Sequence, residues 1–161
     1  MNKEYEYSFK VKNIKDFVQY CIFNKYEKQE EYLQTRTLYK NGGPIMARIT
    51  ENIYGDKREK ILNFKEDNLN DNTLKISKES KDLVITDDNQ EFVYSLIEIL
   101  NLTTKKVLKR KRYVFEKNNV RFEIDEYSEP VMNVVAIEGL KENVDDVYND
   151  LREIINCNKV R

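Results

Sequence analysis

The chain has 161 residues, 40% hydrophobic and 35% charged, which suits one folded domain over residues 1–161. Its 28 basic and 29 acidic side chains nearly cancel, so overall charge gives no drive toward nucleic acid or an anionic membrane. No apolar run approaches the ~18 residues of a bilayer span, and the absence of histidine removes Ser-His-Asp and Cys-His catalysis, the common zinc sites and the usual near-neutral general base.

Carboxylate, ammonium, guanidinium and phenol groups remain in abundance, and these suit hard metal ions and phosphates. The opening MNKEYEYSFK lacks the apolar stretch of a secretory signal, so a cytoplasmic location is expected. Cys21 and Cys157 have no metal-ligand spacing and fall in segments that read as helices, which favours reduced thiols over a disulfide.

Residues 4–12 alternate with period two, placing Glu4, Glu6, Ser8 and Lys10 on one face and Tyr5, Tyr7, Phe9 and Val11 on the other. Asn13 then caps an amphipathic helix carrying Ile14, Phe17, Val18, Cys21 and Ile22 and running to about residue 24. The charged KYEKQEEY stretch after it reads as the helix end or a solvated connection. Two strands, Leu33–Tyr39 and Ile45–Thr50, flank the turn Asn41-Gly42-Gly43-Pro44. A turn at Gly55-Asp56 leads into a strand at 61–65, then 66–73 reads as loop and 74–85 as a further strand. A second helix begins at Asp87 or Asp88 with Phe92, Leu96, Ile99 and Leu100 as its apolar stripe. Strands over 105–116, 119–126 and 131–139 follow, and a helix from Asn143 to about Cys157 closes the chain, with Asp145, Asp146 and Asp150 on its solvated side. This order predicts an α+β fold whose antiparallel sheet has enough strands to close into a barrel.

A surface strand turns its polar face to water, so EYEYSFKV alone is unremarkable. A barrel with an aqueous lumen gives the same alternation with charged faces inward and apolar faces under helices. Other strands repeat the pattern: Arg48 with Thr50, Arg110 with Arg112, and Arg121, Glu123 and Asp125 opposite Val120, Phe122 and Ile124. If these faces converge, Glu4, Glu6, Asp125 and Glu138 form a carboxylate cluster beside the cations Lys10, Arg48, Lys65, Arg110 and Arg112. A divalent metal would neutralise the first and a polyphosphate the second. The basic run Lys105–Arg112 also matches a nucleic-acid footprint, but a charged strand explains it in a chain that is not basic overall.

Glu4-x-Glu6, Gln34-Thr-Arg-Thr-Leu-Tyr39, Ala47-Arg48-Ile49, Phe64-Lys65, Arg110-x-Arg112, Asp125-Glu126 and Ala136-Ile137-Glu138-Gly139 follow one another over nearly the whole chain. In this succession the sequence resembles the CYTH, or triphosphate-tunnel, family, which includes class IV adenylate cyclases, thiamine triphosphatases and inorganic triphosphatases. The resemblance implies a closed or nearly closed eight-stranded antiparallel β-barrel with helices packed outside. It also implies metal-dependent phosphoryl or nucleotidyl transfer on a triphosphate such as ATP, thiamine triphosphate or tripolyphosphate. Carried over by position, Glu4, Glu6, Asp125 and Glu138 would hold Mg2+ or Mn2+, and Arg48, Lys65, Arg110 and Arg112 would grip phosphate. Glu4, Glu6 and Arg112 would act in catalysis. The sequence departs from the family pattern at Ser8, Thr50 and Ala136, where a lysine, an arginine and a carboxylate are usual, and at Arg36, where aspartate is common. Lys10 is placed to replace one lost cation. These departures leave a second reading open, a binder of nucleotide or polyphosphate without turnover.

Overall fold

The computed structural model describes residues 2–69 and 74–160. In chain order the elements are β1 (Asn2–Val11), α1 (Lys15–Phe23), β2 (Glu27–Lys40), β3 (Ile45–Tyr54), β4 (Lys57–Leu69), β5 (Leu74–Glu79), β6 (Leu83–Val84), α2 (Gln90–Ile99), β7 (Thr104–Lys117), β8 (Val120–Glu129), β9 (Val131–Gly139), α3 (Lys141–Asp150) and α4 (Arg152–Cys157). Every strand pairing is antiparallel. The sheet runs β3-β2-β7-β8-β9-β1-β5-β4, and a β3–β4 ladder joins its ends, so eight strands form a closed barrel with β6 as an extra strand on β4. This is the α+β barrel that the resemblance implied.

Period-two alternation decides which side chains enter the barrel. Even-numbered residues of β1, β2, β3, β7 and β9 face inward, and odd-numbered residues of β4 and β8 do so, as the antiparallel pairs Arg48↔Asn63 and Arg112↔Asp125 require. The outward faces are apolar where helices cover them, while the outer positions Glu31, Leu33 and Lys109 of β2 and β7 are exposed and Lys111 is only half-buried. Phe122, Ile124, Val135 and Ile137 pack beneath α1, α3 and α4 with Phe17, Cys21, Val144, Leu151 and Ile155. Ala47, Ile49 and Leu62 pack beneath α2 with Val93 and Ile97. Hydrophobic burial therefore sits outside the barrel wall, and the lumen is left to polar groups.

Several local expectations are corrected. The KYEKQEEY stretch contributes the first part of β2, because its backbone pairs with β7 from Glu27↔Glu116 onward; its side chains lack alternation because both faces are exposed there. Residues 66–69 belong to β4, while 70–73 lie outside the described residues. The segment 74–85 makes two strands. Helix α2 starts at Gln90 and buries Val93 and Ile97, leaving Phe92 65% and Ile99 77% exposed. The final helix breaks at Leu151 into α3 and α4. Asp145 and Asp150 are not simply solvated: they accept hydrogen bonds from the Tyr7 and Tyr20 hydroxyls, both at 2.7 Å. Both cysteines are free, and burial pushes the Cys21 thiol up to about 12. Among the described residues no helix is long and apolar enough to cross a membrane.

Candidate functional site

The inward faces enclose a cavity of about 520 Å³. Of the residues singled out in the sequence, Glu4, Glu6, Arg48, Lys65, Arg110, Arg112, Asp125 and Glu138 all line it. Lys10 does not. It shares the parity of Ser8 but is exposed near the end of β1, outside the cavity lining, so it cannot replace the cation expected at Ser8.

The lining cations are held by specific partners. Arg112 donates Nε to Asp125 Oδ1 at 2.8 Å, Nη2 to Asp125 Oδ2 at 2.9 Å and Nη1 to Glu123 Oε2 at 2.9 Å. Asp125 also pairs with Arg110 at 3.3 Å, so its two oxygens serve two guanidiniums. Arg110 donates Nε to Gln34 Oε1 at 2.7 Å and also bonds the Tyr127 hydroxyl. Gln34 in turn donates to Asn52 Oδ1 at 3.0 Å. Arg48 bonds Asn63 Oδ1 at 2.9 Å and Glu79 at 3.0 Å, and Lys65 stands 3.5 Å from the same Glu79 oxygen. Arg121 reaches Glu123 at 3.2 Å. Arg36 differs: its Nε donates to Thr50 Oγ1 at 3.0 Å, and no carboxylate lies within ion-pair distance of it among the described residues.

On the opposite side of this network the carboxylates crowd one another. Glu138 stands directly across the ladder from Glu6 and shares hydrogen bonds with Glu123 and Glu4. Burial, then the charge of Glu123, holds the Glu138 carboxyl well above its usual range, with Glu4 and Glu6 adding to the effect. Burial alone would also raise Glu123, but Arg112 overcomes it, and with the Glu138 hydrogen bond and Arg121 it keeps Glu123 well below the carboxylate range. Of the two, Glu138 therefore holds a proton more readily and Glu123 gives one up more readily. Burial and the neighbouring Glu79 raise Glu4 as well.

At one rim, Tyr32 and Tyr54 lie with ring centroids 4.7 Å apart, and Glu30 and Glu59 flank them.

No family model matches the sequence, and no curated protein sequence matches it. Solved structures do. A protein of Pyrococcus horikoshii aligns with TM-score 0.69 and 18% identity, over 95% of this chain and 88% of its own. A chain of the Schizosaccharomyces pombe Mediator head module aligns with TM-score 0.67 and 9% identity, over 99% of this chain and 100% of its own. A candidate adenylyl cyclase from Hippeastrum, in which triphosphatase activity is dominant, aligns with TM-score 0.62 and 11% identity, over 95% of this chain and 86% of its own. The chain has the CYTH fold.

Within this CYTH-fold barrel, nine carboxylates and six cations line the lumen, so it is not a plain anion trap. A polyphosphate entering it would need accompanying positive charge. Glu4, Glu6 and Glu138 are hard oxygen donors, and burial with the surrounding carboxylates raises Glu138, which is the chemistry that fits Mg2+ or Mn2+. Among the described residues no three carboxylates are already arranged to hold an ion. Asp125 fits such a role less well than the sequence suggested, because Arg110 and Arg112 occupy its oxygens.

Glu123, Arg36 and the amides Gln34, Asn52 and Asn63 were not among the predicted site residues. Glu123 carried a usable signal, sharing parity with Arg121 and Asp125. The amides carried none, since neutral side chains on a strand do not announce that they orient arginines.

Proposed function

We propose that the protein binds the triphosphate of a small molecule inside the barrel and catalyses metal-dependent phosphoryl or nucleotidyl transfer on it. The observation that carries this reading is the convergence of Arg36, Arg48, Lys65 and Arg110 with the carboxylates Glu4, Glu6 and Glu138 in one cavity of about 520 Å³. The likeness to barrels that include a triphosphatase supports the substrate class. Mg2+ or Mn2+, when bound by Glu4, Glu6 and Glu138, would neutralise phosphate charge and polarise the reacting phosphorus. The arginines and Lys65 would bind and orient the phosphate oxygens, and Arg112, fixed by Asp125 and Glu123, would stabilise charge as it develops. In hydrolysis a water oxygen bonds to the terminal phosphorus, the bridging P–O bond breaks, and Glu4 or Glu6 accepts the proton of the water. In cyclisation the ribose 3′-oxygen bonds to the α-phosphorus, the bridging P–O bond to the β-phosphate breaks so that pyrophosphate leaves, and Glu4 or Glu6 accepts the hydroxyl proton.

The deciding experiment supplies Mn2+ with ATP, thiamine triphosphate or tripolyphosphate and identifies the product. Orthophosphate, pyrophosphate or cyclic nucleotide above a Glu6→Ala control is the expected result; none with any substrate ends the enzymatic reading.

A second reading, binding without turnover, is favoured by the extent to which the lumen cations are already neutralised: Arg48, Lys65, Arg110, Arg112 and Arg121 all stand in ion pairs. Under this reading the same titrations give binding heat and no product.

A further inference from the structure

Arg36 lies on β2, between β3 and β7 in the sheet, opposite Thr50 on one side and Leu108 on the other. Arg48 is two residues from Thr50, and Arg110 two residues from Leu108, so the three guanidinium-bearing positions occupy diagonal sites on three neighbouring inward faces. Thr50 holds Nε of Arg36 at 3.0 Å, and the two Nη groups have no protein acceptor among the described residues.

Every other cation that lines the cavity stands within 4 Å of a carboxylate. An incoming oxyanion must compete with Glu79 for Arg48 and Lys65, with Asp125 for Arg110, and with Asp125 and Glu123 for Arg112. At Arg36 it displaces nothing. Burial, then the charges of Arg48, Arg110 and Arg112, pushes the Arg36 guanidinium down to about 9, against a smaller opposing pull from the Glu123 charge, so it stays charged at neutral pH with no carboxylate paired to it among the described residues. A protein group that raises no neutralising partner of its own is stabilised most by an anion from outside.

We propose that Arg36 is the primary anchor for a phosphoryl group in the lumen, its free guanidinium edge taking two oxygens of a terminal phosphate while Arg48 and Arg110 contact the same anion from either side. Guanidinium is the cation best shaped for this, because its fork matches two oxygens of one phosphate. The assignment rests on the lumen being a polyphosphate site, as proposed above, and adds the residue that receives the anion first.

The test is calorimetric titration of tripolyphosphate and of ATP, with Mn2+ present, into wild type, Arg36→Gln, Arg36→Lys and Lys10→Gln, alongside thermal melts of each. Arg36→Gln should weaken tripolyphosphate binding about tenfold or more, since one charge-assisted contact is lost. Arg36→Lys should fall between it and wild type, and Lys10→Gln should match wild type. Without ligand, Arg36→Gln should melt at or above the wild-type temperature, because it removes repulsion among guanidiniums, whereas loss of a merely structural arginine would lower it. Equal weakening for ATP and tripolyphosphate assigns Arg36 to the phosphate chain irrespective of its organic part. Binding by Arg36→Gln within twofold of wild type overturns the assignment and leaves the lumen reading standing. Absence of any binding by wild type overturns both. If Arg36→Gln fails to fold, Arg36→Lys decides: unchanged affinity overturns the proposal, and reduced affinity at unchanged melting temperature supports it.

Discussion

Arg112 and Asp125 face each other across the β7–β8 ladder with two parallel hydrogen bonds of 2.8 and 2.9 Å, both side chains buried. Removing one partner of such a pair strands the other charge, which costs about 3–5 kcal/mol. Asp125→Ala, which strands Arg112 and also deprives Arg110, should therefore lower the unfolding free energy measured in urea by that order. Asp125→Asn should lose less, since an amide oxygen still accepts from Arg112. If Asp125 acts as a metal ligand and not as a clamp, Asp125→Asn will abolish stabilisation by Mn2+ while barely moving the metal-free melt.

The lower wall of the network gives a second expectation. Gln34 accepts from Arg110 and donates to Asn52 in a buried position. Gln34→Leu leaves both partners short of a hydrogen bond, at about 1–3 kcal/mol for a buried polar group left unsatisfied. It should also release Arg110 from its fixed direction. The protein should remain folded by circular dichroism yet bind tripolyphosphate more weakly than its lowered stability alone explains.

How much of this was readable beforehand depends on which physical signal each element emits. Strands whose outer face is covered by a helix show strict alternation, and β1, β8 and β9 were legible for that reason, together with the inward charges they carry; β7 was legible as a strand although its outer Lys109 is exposed and Lys111 only half-buried. The first part of β2 was not, because Glu27–Glu31 is exposed on both faces and only pairing with β7 makes it a strand. In α2 two apolar stripes exist at helical spacing, Phe92/Leu96/Ile99 and Val93/Ile97, and sequence alone cannot say which one meets the barrel. Lys10 obeyed the correct parity but lay too close to the strand end to reach the lumen. Arg36 was visible only as a departure from a pattern. Its importance emerges from the pairing of every other cavity-lining cation among the described residues, and pairing across strands is a property of register that a single sequence does not carry.

Gly139 tests the closure of the barrel at the β7–β8 hairpin. Its φ is +152°, and a Cβ there would lie 2.6 Å from the backbone oxygen of Asn119. Asn118 and Asn119, with φ of 49° and 63°, form the two-residue turn whose position fixes that oxygen. Because the obstacle is backbone and not a flexible side chain, Gly139→Ala should destabilise the fold by about 1–3 kcal/mol through strain. Thermal melts of Gly139→Ala against the wild type measure it directly, and an unchanged midpoint would show that the hairpin yields.

The Glu123–Glu138 pair links stability to pH in two opposite senses. Glu138 has its pKa raised in the folded state, by burial and then by Glu123, so its contribution is complete below the ordinary carboxyl range near about 4.3 and is lost as pH rises through the folded value. Glu123 is lowered in the folded state, where Arg112 and Arg121 outweigh burial, so its contribution is present above the ordinary range and is lost as pH falls through its folded value. Glu138→Gln keeps a neutral hydrogen-bonding group and removes only the cost of ionising it. Melts from pH 5 to pH 9 should therefore show the variant gaining on wild type as pH rises, with the two converging near pH 5. Mn2+ adds a second axis: a divalent ion that replaces the proton on Glu138 should raise the wild-type melting temperature more at pH 8 than at pH 6, and should do little for Glu138→Gln. Parallel wild-type and variant curves across the whole pH range would mean that Glu138 is ionised in the folded barrel and that Arg121, directly opposite it in β8, neutralises it instead of a shared proton.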